Sequence, residues 1–375
     1  MSRVPELDRF RKEIEYCTYC PKLCRFACPV ANAERRETAT PWGRQTMLHL
    51  VQSGAAALDA ETTDLMYRCL SCLRCREFCD HEIEIPAVMR AARAAARDRG
   101  QEPEAVTRMR DSFMSHGNEA GEDLGARVRE LVPSRFVAEG ARAALFLGCS
   151  TITDAPETVE NMLGVIEAAG IDWVAVHAGV DQCCGLPQYE AGAVDDFVEH
   201  ARRLLMQLGE YRLVITPCPA CAYTLRALYR EHDLPHAIDV LHLTEFLGRY
   251  AGAFDLDPGG EDTIYFEPCY LGRYLGNYEV PRRLLTAALG RKPLEYFRNR
   301  KEAYCCGGGS LVRLVAPDTA RGVAEEPVRE AREQGARVIA TACPRCRTQL
   351  REAAGGEDLE VLDVVEVLDS RLKRG

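Results

Sequence analysis

Cysteine is the residue type that most constrains this chain, because 18 cysteines occur in 375 residues and all but Cys149 and Cys269 fall in tight groups. The N-terminal segment is charged and lacks an apolar signal core, which predicts a protein that stays in the cytoplasm. A reducing cytosol does not favour structural disulfides, and cysteines that only fill a core would be scattered singly. Grouped thiols in such a protein predict metal or redox chemistry.

Charge and hydropathy argue against two function classes. A formal net charge of −10 argues against general nucleic-acid binding, which needs a basic surface. No apolar run approaches the roughly 18 residues of a transmembrane helix, so we expect no membrane insertion by this chain itself. We expect a cytoplasmic protein that reaches the inner face of a membrane only through a partner.

The first eight cysteines form two runs in an α-rich unit that we place at residues 1–140. The second run has the Cys-x2-Cys-x2-Cys-x3-Cys spacing of bacterial ferredoxins, and the first has one residue added. In two-cluster ferredoxins the fourth cysteine of a run ligates the other cluster. We therefore predict two cubane [4Fe–4S] clusters. Their predicted ligands are Cys17, Cys20, Cys24 and Cys79 for one cluster, and Cys28, Cys69, Cys72 and Cys75 for the other.

Zinc is the alternative occupant of these runs, because paired Cys-x2-Cys groups also build tetrahedral four-cysteine sites. Zinc ribbons, however, normally use two separated pairs, not four cysteines within about twelve residues. The spacing therefore favours iron–sulfur clusters over a zinc-stabilised scaffold.

The rest of the chain contains an internal repeat, which we divide into residues 141–258 and 259–375. AALFLGC recurs as TIYFEPC, DQCCGLP as YCCGGGS, and LVITPCPACAYTL as VIATACPRCRTQL, at offsets between 120 and 125 residues. Each repeat alternates short apolar strands with helices. We therefore predict two α/β repeats related by a pseudo-two-fold axis, following the helical N-terminal unit.

Each repeat carries five cysteines, which should gather at the carboxyl ends of its parallel strands, where α/β folds place ligands. The first set is Cys149, Cys183, Cys184, Cys218 and Cys221, and the second is Cys269, Cys305, Cys306, Cys343 and Cys346. Five thiols exceed the four corners of a cube, and an adjacent pair suits a site in which one sulfur bridges two irons. Gly185 and Gly307 follow the pairs, and we expect them to let the backbone approach a cluster closely.

These units resemble the cysteine-rich CCG-domain family, which includes the catalytic subunits of heterodisulfide reductase. The resemblance covers nearly the whole chain, with the ferredoxin-type part first and the duplicated CCG part after it. It implies that each five-cysteine set holds a noncubane [4Fe–4S] cluster, giving two such clusters besides the two cubanes. Both sets are complete here, which favours the heterodisulfide reductase-like branch over dehydrogenase subunits of the same family.

One segment departs from the family pattern. Where relatives often read His-Asp-Pro-Cys-His, this chain has Phe266, Glu267, Pro268, Cys269 and Tyr270. We treat Glu267 and Tyr270 as candidate catalytic residues because they flank a predicted ligand. His177, between a strand-like run and the first cysteine pair, is the third candidate, as a proton donor.

Arg90, Arg93 and Arg97 form a stripe on a predicted helix. A stripe of this kind is more often a solvated face than a docking site for an acidic partner. No glycine-rich dinucleotide fingerprint opens a βαβ unit, so we expect the chain to have no flavin or nicotinamide site of its own.

The sequence thus predicts an iron–sulfur oxidoreductase that moves single electrons to a disulfide or thiol substrate at the CCG part. We expect it to work with a redox partner protein: a flavoprotein, a ferredoxin or a cytochrome b-type membrane subunit. The alternative is a pure electron conduit between a flavoprotein dehydrogenase or electron-transfer flavoprotein and a quinone-linked membrane partner.

Overall fold

The structure is a computed structural model that describes residues 4–137, 141–356 and 358–373. The N-terminal part is helical, as the sequence predicted. Its α-helices are α1 (Arg11–Thr18), α2 (Pro29–Glu34), α3 (Pro41–Ser53), α4 (Ala60–Tyr67), α5 (Ile85–Arg97), α6 (Glu104–His116) and α7 (Leu124–Leu131). Turns of 3-10 helix occur at Pro5–Phe10, Arg25–Ala27, Glu37–Ala39, Arg76–Phe78 and Ser134–Phe136. The predicted boundary after residue 140 falls at residues 138–140, which lie outside the described residues.

Capping side chains explain where several of these helices begin. The Thr40 hydroxyl accepts a hydrogen bond from the backbone N–H of Gly43 at 3.0 Å, and Pro41 occupies the first turn of α3. Asp59 and Asp123 cap α4 and α7 in the same way. Such caps satisfy backbone donors that have no partner inside the helix. None of the helices in the described part of the chain is long and apolar enough to cross a membrane.

The first repeat contains one four-stranded parallel sheet. Its strands, β1 (Ala143–Leu145), β2 (Val174–Val176), β3 (Leu213–Thr216) and β4 (Asp239–His242), lie in the order β2-β1-β3-β4. The helices around it are α8 (Cys149–Asp154), α9 (Thr158–Ala168), α10 (Leu186–Glu190), α11 (Val194–Leu208), α12 (Pro219–Tyr223), α13 (Tyr229–Glu231) and α14 (Leu243–Gly248). A π-helical segment spans Thr224–Leu228, and a 3-10 turn spans Ala251–Ala253.

The second repeat has the same topology. Its strands, β5 (Thr263–Phe266), β6 (Leu294–Glu295), β7 (Val338–Thr341) and β8 (Glu360–Asp363), are parallel and lie in the order β6-β5-β7-β8. Its helices are α15 (Glu279–Leu289), α16 (Val312–Val315), α17 (Pro317–Glu333), α18 (Pro344–Ala354) and α19 (Val364–Asp369). A π-helical segment spans Tyr270–Tyr274, and a 3-10 turn spans Arg300–Glu302. The two predicted α/β repeats are therefore confirmed.

The repeats pack against each other through equivalent helices. α9 of the first repeat packs on α19 of the second, while the equivalent helix α15 packs on α14. One apolar core crosses this interface and includes Phe246 and Leu247 with Leu284 and Leu285. Reciprocal contacts of this kind are those of two units related by a pseudo-two-fold axis, which was the predicted arrangement.

A buried carboxylate connects the N-terminal part to both repeats. Glu190, at the end of α10, accepts hydrogen bonds from Ser71 at 2.5 Å and Ser310 at 2.8 Å, and it pairs with Arg93 at 3.2 Å. Ser71 and Arg93 belong to the N-terminal part, and Ser310 belongs to the second repeat. Burial alone would raise the pKa of Glu190, but Arg90 and Arg93 outweigh it and lower that pKa.

The arginine stripe of α5 meets this carboxylate and is not a solvated face. The side chain of Arg93 is 0% exposed, and Arg90 also lies within 3.2 Å of Glu190. Arg97 donates to the carbonyl of Gly192. The prediction of a solvated face was therefore wrong, because the acidic group that the stripe meets lies further along the same chain.

Candidate functional site

The 18 cysteines form no disulfide with one another, and 15 of them are buried. We name four groups by their positions. The outer group is Cys17, Cys20, Cys24 and Cys79; the inner group is Cys28, Cys69, Cys72 and Cys75. The repeat-1 group is Cys149, Cys183, Cys184, Cys218 and Cys221; the repeat-2 group is Cys269, Cys305, Cys306, Cys343 and Cys346.

The outer group lies nearest to solvent, because Cys20 and Cys79 are only partly buried. Burial and the nearby thiols of Cys24, Cys79 and Cys20 raise the pKa of Cys17. Burial, Cys79 and Cys20 also raise the pKa of Cys24 to about 12. The fourth cysteine of the second run therefore lies among three cysteines of the first run, as in the crossed arrangement that the spacing predicts.

The inner group lines one small cavity. Cys28 comes from the first run, and the other three cysteines come from the second. Ser71 and Leu73 separate those three and have left-handed φ angles of 52° and 59°. Non-glycine residues seldom adopt such angles. Here they fold the short loop so that its cysteines line the same cavity, together with the buried guanidinium of Arg44, whose Nη1 lies 3.8 Å from the Cys28 Sγ.

The repeat-1 group is a continuous set of thiols. The Sγ atoms of Cys183 and Cys149 are 3.3 Å apart. Cys184 hydrogen-bonds with both Cys183 and Cys221, and Cys221 also hydrogen-bonds with Cys218. The hydrogen bonds to Cys184 outweigh its burial and hold its pKa well below the ordinary value. All five predicted residues are therefore brought together.

The repeat-2 group is assembled in a similar way. The Sγ atoms of Cys346 and Cys306 are 3.1 Å apart. Cys305 hydrogen-bonds with Cys306, and Cys343 hydrogen-bonds with Cys346. Burial raises the pKa of Cys269, and nearby Cys306 raises it further. All five predicted residues of this group also lie together.

Cys72 connects the inner group to the repeat-2 group. Its thiol hydrogen-bonds with Cys305. That hydrogen bond lowers the pKa of Cys72 to about 6 against the effect of burial, and the guanidinium of Arg273 lowers it further. Within the described residues, no thiol of the N-terminal part makes such a contact with the repeat-1 group. The N-terminal part therefore meets one repeat through its thiols and not the other.

The adjacent cysteine pairs of the two repeats contact different parts of the molecule. The pseudo-symmetry of the repeats predicts that these pairs line one cavity between them. Instead, Cys183 contacts Cys149 of its own repeat, and Cys305 contacts Cys72 of the N-terminal part. Across the repeat interface, the thiol of Cys218 raises the pKa of Cys343.

His177 lies at the carboxyl end of β2, where its backbone N–H donates to the carbonyl of Leu145. Its ring centroid is 6.0 Å from that of Phe146 and 6.1 Å from that of Tyr211. Burial lowers the pKa of His177 to about 4, so its ring is neutral at pH 7. Its Nε2 atom is buried and has no hydrogen-bond partner among the described residues.

Glu267 holds the segment that precedes Cys269. One carboxylate oxygen accepts from Arg282 at 2.7 Å, and the other accepts from the backbone N–H of Arg300. Arg282 also pairs with Glu295 at 2.6 Å. Burial raises the pKa of Glu267, while Arg282 acts in the opposite direction.

Tyr270 lies beside Cys269 in a group of tyrosine rings. Its ring stacks on Tyr274 with centroids 4.3 Å apart, and Tyr223 of the first repeat is 5.7 Å away. Burial holds the pKa of Tyr270 well above its ordinary value, so the phenol keeps its proton. Tyr270 therefore lies at the interface between the repeats as well as beside a predicted ligand.

Gly185 and Gly307 occupy equivalent turns with positive φ angles of 81° and 85°. A Cβ on Gly185 would lie 3.0 Å from the His200 ring, and one on Gly307 would lie 2.1 Å from the carbonyl oxygen of Ala320. Each glycine therefore lets its cysteine turn pack closely on the following helix of its own repeat, α11 or α17.

Sequence reasoning missed two buried residues that hold the first cysteine pair. His200 Nε2 lies 2.7 Å from the carbonyl oxygen of Cys183, and the Tyr229 hydroxyl donates to the carbonyl of Cys184 at 3.0 Å. At the offset of the cysteine pairs, His200 corresponds to Gly322 in the second repeat. Comparison of the repeats therefore gave no signal for it.

The donor set fits iron–sulfur clusters. Each group offers four or five thiols and no disulfide, and thiolates are the usual protein ligands of these clusters. Within the described residues, no three His, Cys, Asp or Glu side chains are arranged to hold a single metal ion.

Two family profiles match the chain. The profile described as cysteine-rich domain (CCG) matches residues 143–226 and 263–351, and the 4Fe-4S dicluster domain profile matches residues 13–83. The matched ranges contain all 18 cysteines. The predicted iron–sulfur class and the CCG resemblance are therefore confirmed.

Curated relatives include components of reductases. The chain is 27% identical to one of the subunits of fumarate reductase (CoM/CoB) from Methanothermobacter marburgensis, over 97% of this chain and 74% of that protein. It is 26% identical to one of the subunits of dihydromethanophenazine:CoB–CoM heterodisulfide reductase from Methanosarcina barkeri, over 83% of this chain and 79% of that protein. It is also 26% identical to EtfAB:quinone oxidoreductase of Syntrophomonas wolfei, over 83% of this chain but only 47% of that longer protein.

Among solved structures, a hypothetical protein from Helicobacter pylori shares the fold. The TM-score is 0.55 at 9% identity, over 99% of this chain and 76% of that one. At this identity the likeness concerns the fold alone.

Proposed function

Because the chain is an iron–sulfur electron-transfer protein that joins a 4Fe–4S dicluster domain to two CCG domains, we propose that it is the subunit of a reductase at which a disulfide is cleaved. The observation that carries this proposal is the completeness of both five-thiol groups. Passing electrons along a chain requires only four ligands per cluster. A fifth thiol in each repeat suits a site that reacts with sulfur from outside.

We assign one cubane [4Fe–4S] cluster to the outer group and one to the inner group, and one noncubane [4Fe–4S] cluster to each repeat group. Such clusters supply one-electron transfer when bound. The residues of the chain set the order of the sites. The partly exposed Cys20 and Cys79 bring the outer group to the surface, and Cys72 brings the inner group to the repeat-2 group.

The surface beside the outer group suits a redox partner protein. Four large apolar side chains, those of Tyr16, Tyr19, Leu23 and Phe26, are between 43% and 76% exposed there. A groove in this surface is also lined by Cys20, Cys24 and Cys79. Exposed apolar patches of this kind mark interaction sites. We propose that this surface exchanges electrons with a docked flavoprotein, ferredoxin or cytochrome b-type protein.

The proposed reaction reduces RSSR′ with two electrons and two protons to RSH and R′SH, breaking the S–S bond. Of the three candidate catalytic residues, Tyr270 is adjacent to a ligand of the repeat-2 group and keeps its proton, which suits it to donate a hydrogen bond to a substrate sulfur. Both oxygens of Glu267 already accept hydrogen bonds, and buried His177 is neutral. We therefore assign Tyr270 the leading role among the three.

The second candidate function is an electron conduit without a substrate of its own. The likeness to EtfAB:quinone oxidoreductase favours it, because the name of that protein describes transfer between an electron-transfer flavoprotein and a quinone. This chain matches less than half of that protein, so the likeness does not extend to the rest of that enzyme.

Disulfide turnover separates the two functions. Anaerobic protein is supplied with reduced methyl viologen and with the CoM–CoB heterodisulfide or 2-hydroxyethyl disulfide, and viologen oxidation is followed. We expect turnover by the wild type and loss of it in Cys306→Ser. A matched titration of oxidised protein with the product thiols should change the spectrum of the repeat groups and leave the cubane signals unaltered.

Absence of turnover, together with an unchanged spectrum at every thiol concentration in protein that holds both noncubane clusters, would favour the conduit. Turnover by Cys306→Ser at the wild-type rate would remove the repeat-2 group from the proposed reaction.

A further inference from the structure

Arg273 is a buried cation between the inner group and the repeat-2 group. Its side chain donates to the carbonyls of Cys72 at 2.6 Å and Ala303 at 2.9 Å. Its Nη2 atom is buried and has no hydrogen-bond partner among the described residues. The nearest thiols that interact with its charge are those of Cys72, Cys269 and Cys305. A guanidinium with a spare donor therefore lies where two sets of predicted cluster ligands meet.

Arg74 is a second buried cation at the same place. It is 2% exposed, its Nε donates to the carbonyl of Glu302 at 3.2 Å, and its guanidinium lies 4.9 Å from the Tyr304 ring centroid. Its Nη1 atom is also buried without a partner among the described residues. Neither Arg74 nor Arg273 forms an ion pair with a carboxylate in the described parts of the chain. Their charges are therefore not neutralised by acidic side chains in direct contact.

The first repeat lacks this arrangement. The position equivalent to Arg273 is Thr153, whose hydroxyl donates to the carbonyl of Cys149. The charge of Arg345 acts on Cys149 of that site, but Arg345 pairs with Asp154 at 3.0 Å and with Glu119. The arginine beside the repeat-1 group is thus paired directly with carboxylates, whereas Arg273 beside the repeat-2 group is not, and Arg74 interacts with Glu326 without a direct ion pair.

The outer group has surroundings of mixed charge, since Lys12 lies 5.4 Å from the Tyr16 ring centroid and Lys22 and Arg25 pair with Glu37. The groove beside it is lined by Glu15 and Asp80, and neither forms an ion pair among the described residues. Reduction adds one negative charge to a site, which carboxylates disfavour and buried cations favour. Buried arginines without a paired carboxylate therefore lie at the junction at Cys72, whereas the groove beside the outer group is lined by the carboxylates of Glu15 and Asp80.

We propose that Arg74 and Arg273 are positioning residues that raise the reduction potential at the junction of the inner and repeat-2 groups, so that electrons flow inward from the outer group. The inference rests on the proposed clusters and adds a direction of flow to them. Each step is the uptake of one electron from the neighbouring site, with no bond formed or broken. With clusters bound, the two spare N–H donors would be free to donate to sulfur, and hydrogen bonds to sulfur raise a cluster's potential.

The test is an anaerobic redox titration of the loaded full-length protein, monitored by electron paramagnetic resonance. Signals are assigned by their loss in Cys306→Ser for the repeat-2 group and in Cys184→Ser for the repeat-1 group. Arg273→Met should make reduction of the inner or repeat-2 site at least tenfold less favourable, a fall of about 59 mV for one electron. Arg273→Lys keeps the charge and should restore most of this shift.

Two controls make the result specific. Thr153→Met changes the equivalent position of the first repeat. It should alter the equilibrium constant for reduction of every site by less than twofold. Arg74→Met should lower the same potential as Arg273→Met, and it replaces that variant if Arg273→Met fails to hold its iron.

Unchanged potentials in Arg273→Met and Arg74→Met with full iron content would overturn the inference while leaving the clusters in place. Failure of the wild type to bind iron in the repeats would instead contradict the proposed function.

Discussion

The two CCG repeats share a topology but not their surroundings. Both have a four-stranded parallel sheet, five gathered thiols and a closing helix that begins with a capping box. The repeat-2 group meets the N-terminal part through Cys305 and Cys72. The repeat-1 group instead has its cysteine pair held by His200 and Tyr229 of its own repeat. Duplication has thus produced two similar sites, of which only the second adjoins the inner group.

This difference gives the sites an order. The contacts support a path from the outer group to the inner group, then to the repeat-2 group, and from there through the Cys218–Cys343 interface to the repeat-1 group. The two repeats are therefore expected to differ in how electrons reach them, although their ligands are equivalent. The following predictions test that comparison.

Removing one repeat site should affect the other unequally. Cys306→Ser should slow reduction of the repeat-1 site by reduced viologen at least about tenfold, because it removes the repeat-2 site that lies between the inner group and the repeat-1 group. Cys184→Ser should leave reduction of the repeat-2 site unchanged. Stopped-flow absorbance with freeze-quenched resonance spectra measures both rates. Unchanged reduction of the repeat-1 site in Cys306→Ser would show that each repeat receives electrons independently, and slowing of the repeat-2 site in Cys184→Ser would contradict the proposed order.

The order also depends on which cysteines share a site in the N-terminal part. Cys79→Ser should disturb the outer cluster, since Cys79 lies with Cys17 and Cys24, and should spare the inner cluster. Iron analysis and resonance spectra of the variant give the answer, with Cys75→Ser as the matched change in the inner group. Damage confined to the inner signal in Cys79→Ser would exclude the crossed arrangement.

Glu190 forms a joint between the parts of the molecule. It belongs to the first repeat, and it contacts Arg93 of the N-terminal part and Ser310 of the second repeat. Glu190→Gln leaves the buried Arg93 without its counter-charge, so we expect a loss of about 3–5 kcal/mol of unfolding free energy. Glu84→Gln, at an exposed pair with Arg76, is the control and should cost less than about 1 kcal/mol. Thermal unfolding of the two variants under argon measures the difference, and comparable stabilities would contradict the importance of this joint.

The capping residues of the closing helices should give opposite pH dependence in the two repeats. Burial raises the pKa of Asp363 to about 7 and lowers that of His242 to about 4. The stabilising contribution of Asp363 is complete below its unfolded pKa of 3.8 and is lost as the pH rises through 7. That of His242 is complete above 6.5 and is lost as the pH falls through 4.

Asp363→Asn keeps the cap without the charge. The unfolding free energy of this variant minus that of the wild type should therefore rise by about 2 kcal/mol as the pH is raised from 5 to 8. His242→Asn should change in the opposite direction over this range, because the stabilising contribution of His242 in the wild type increases as the pH rises from 5 to 6.5. Thermal unfolding at the two pH values is the measurement, and a constant difference for Asp363→Asn would show that this carboxylate does not titrate in the folded protein.

The sequence predicted what depends on local spacing. The outer and inner groups, including the exchange of Cys28 and Cys79 between runs, follow from short intervals between cysteines. The two sheets and the five thiols gathered at each follow from a repeat that recurs at a near-constant offset. The burial of Arg93 could not be predicted in this way, because its partner Glu190 lies in another domain. The Cys72–Cys305 contact has the same origin: it depends on how the helical part packs against one repeat, which no periodic pattern records.

The central claim is that both repeats hold a cluster in spite of their different surroundings, and metal content tests it most directly. Protein purified without oxygen should contain about 16 iron and 16 sulfide per chain, four of each for every thiol group. Cys184→Ser and Cys306→Ser should each lower the iron content by about four. A wild-type value near 8, with all 18 cysteines intact, would contradict the claim and leave the clusters in the N-terminal part alone.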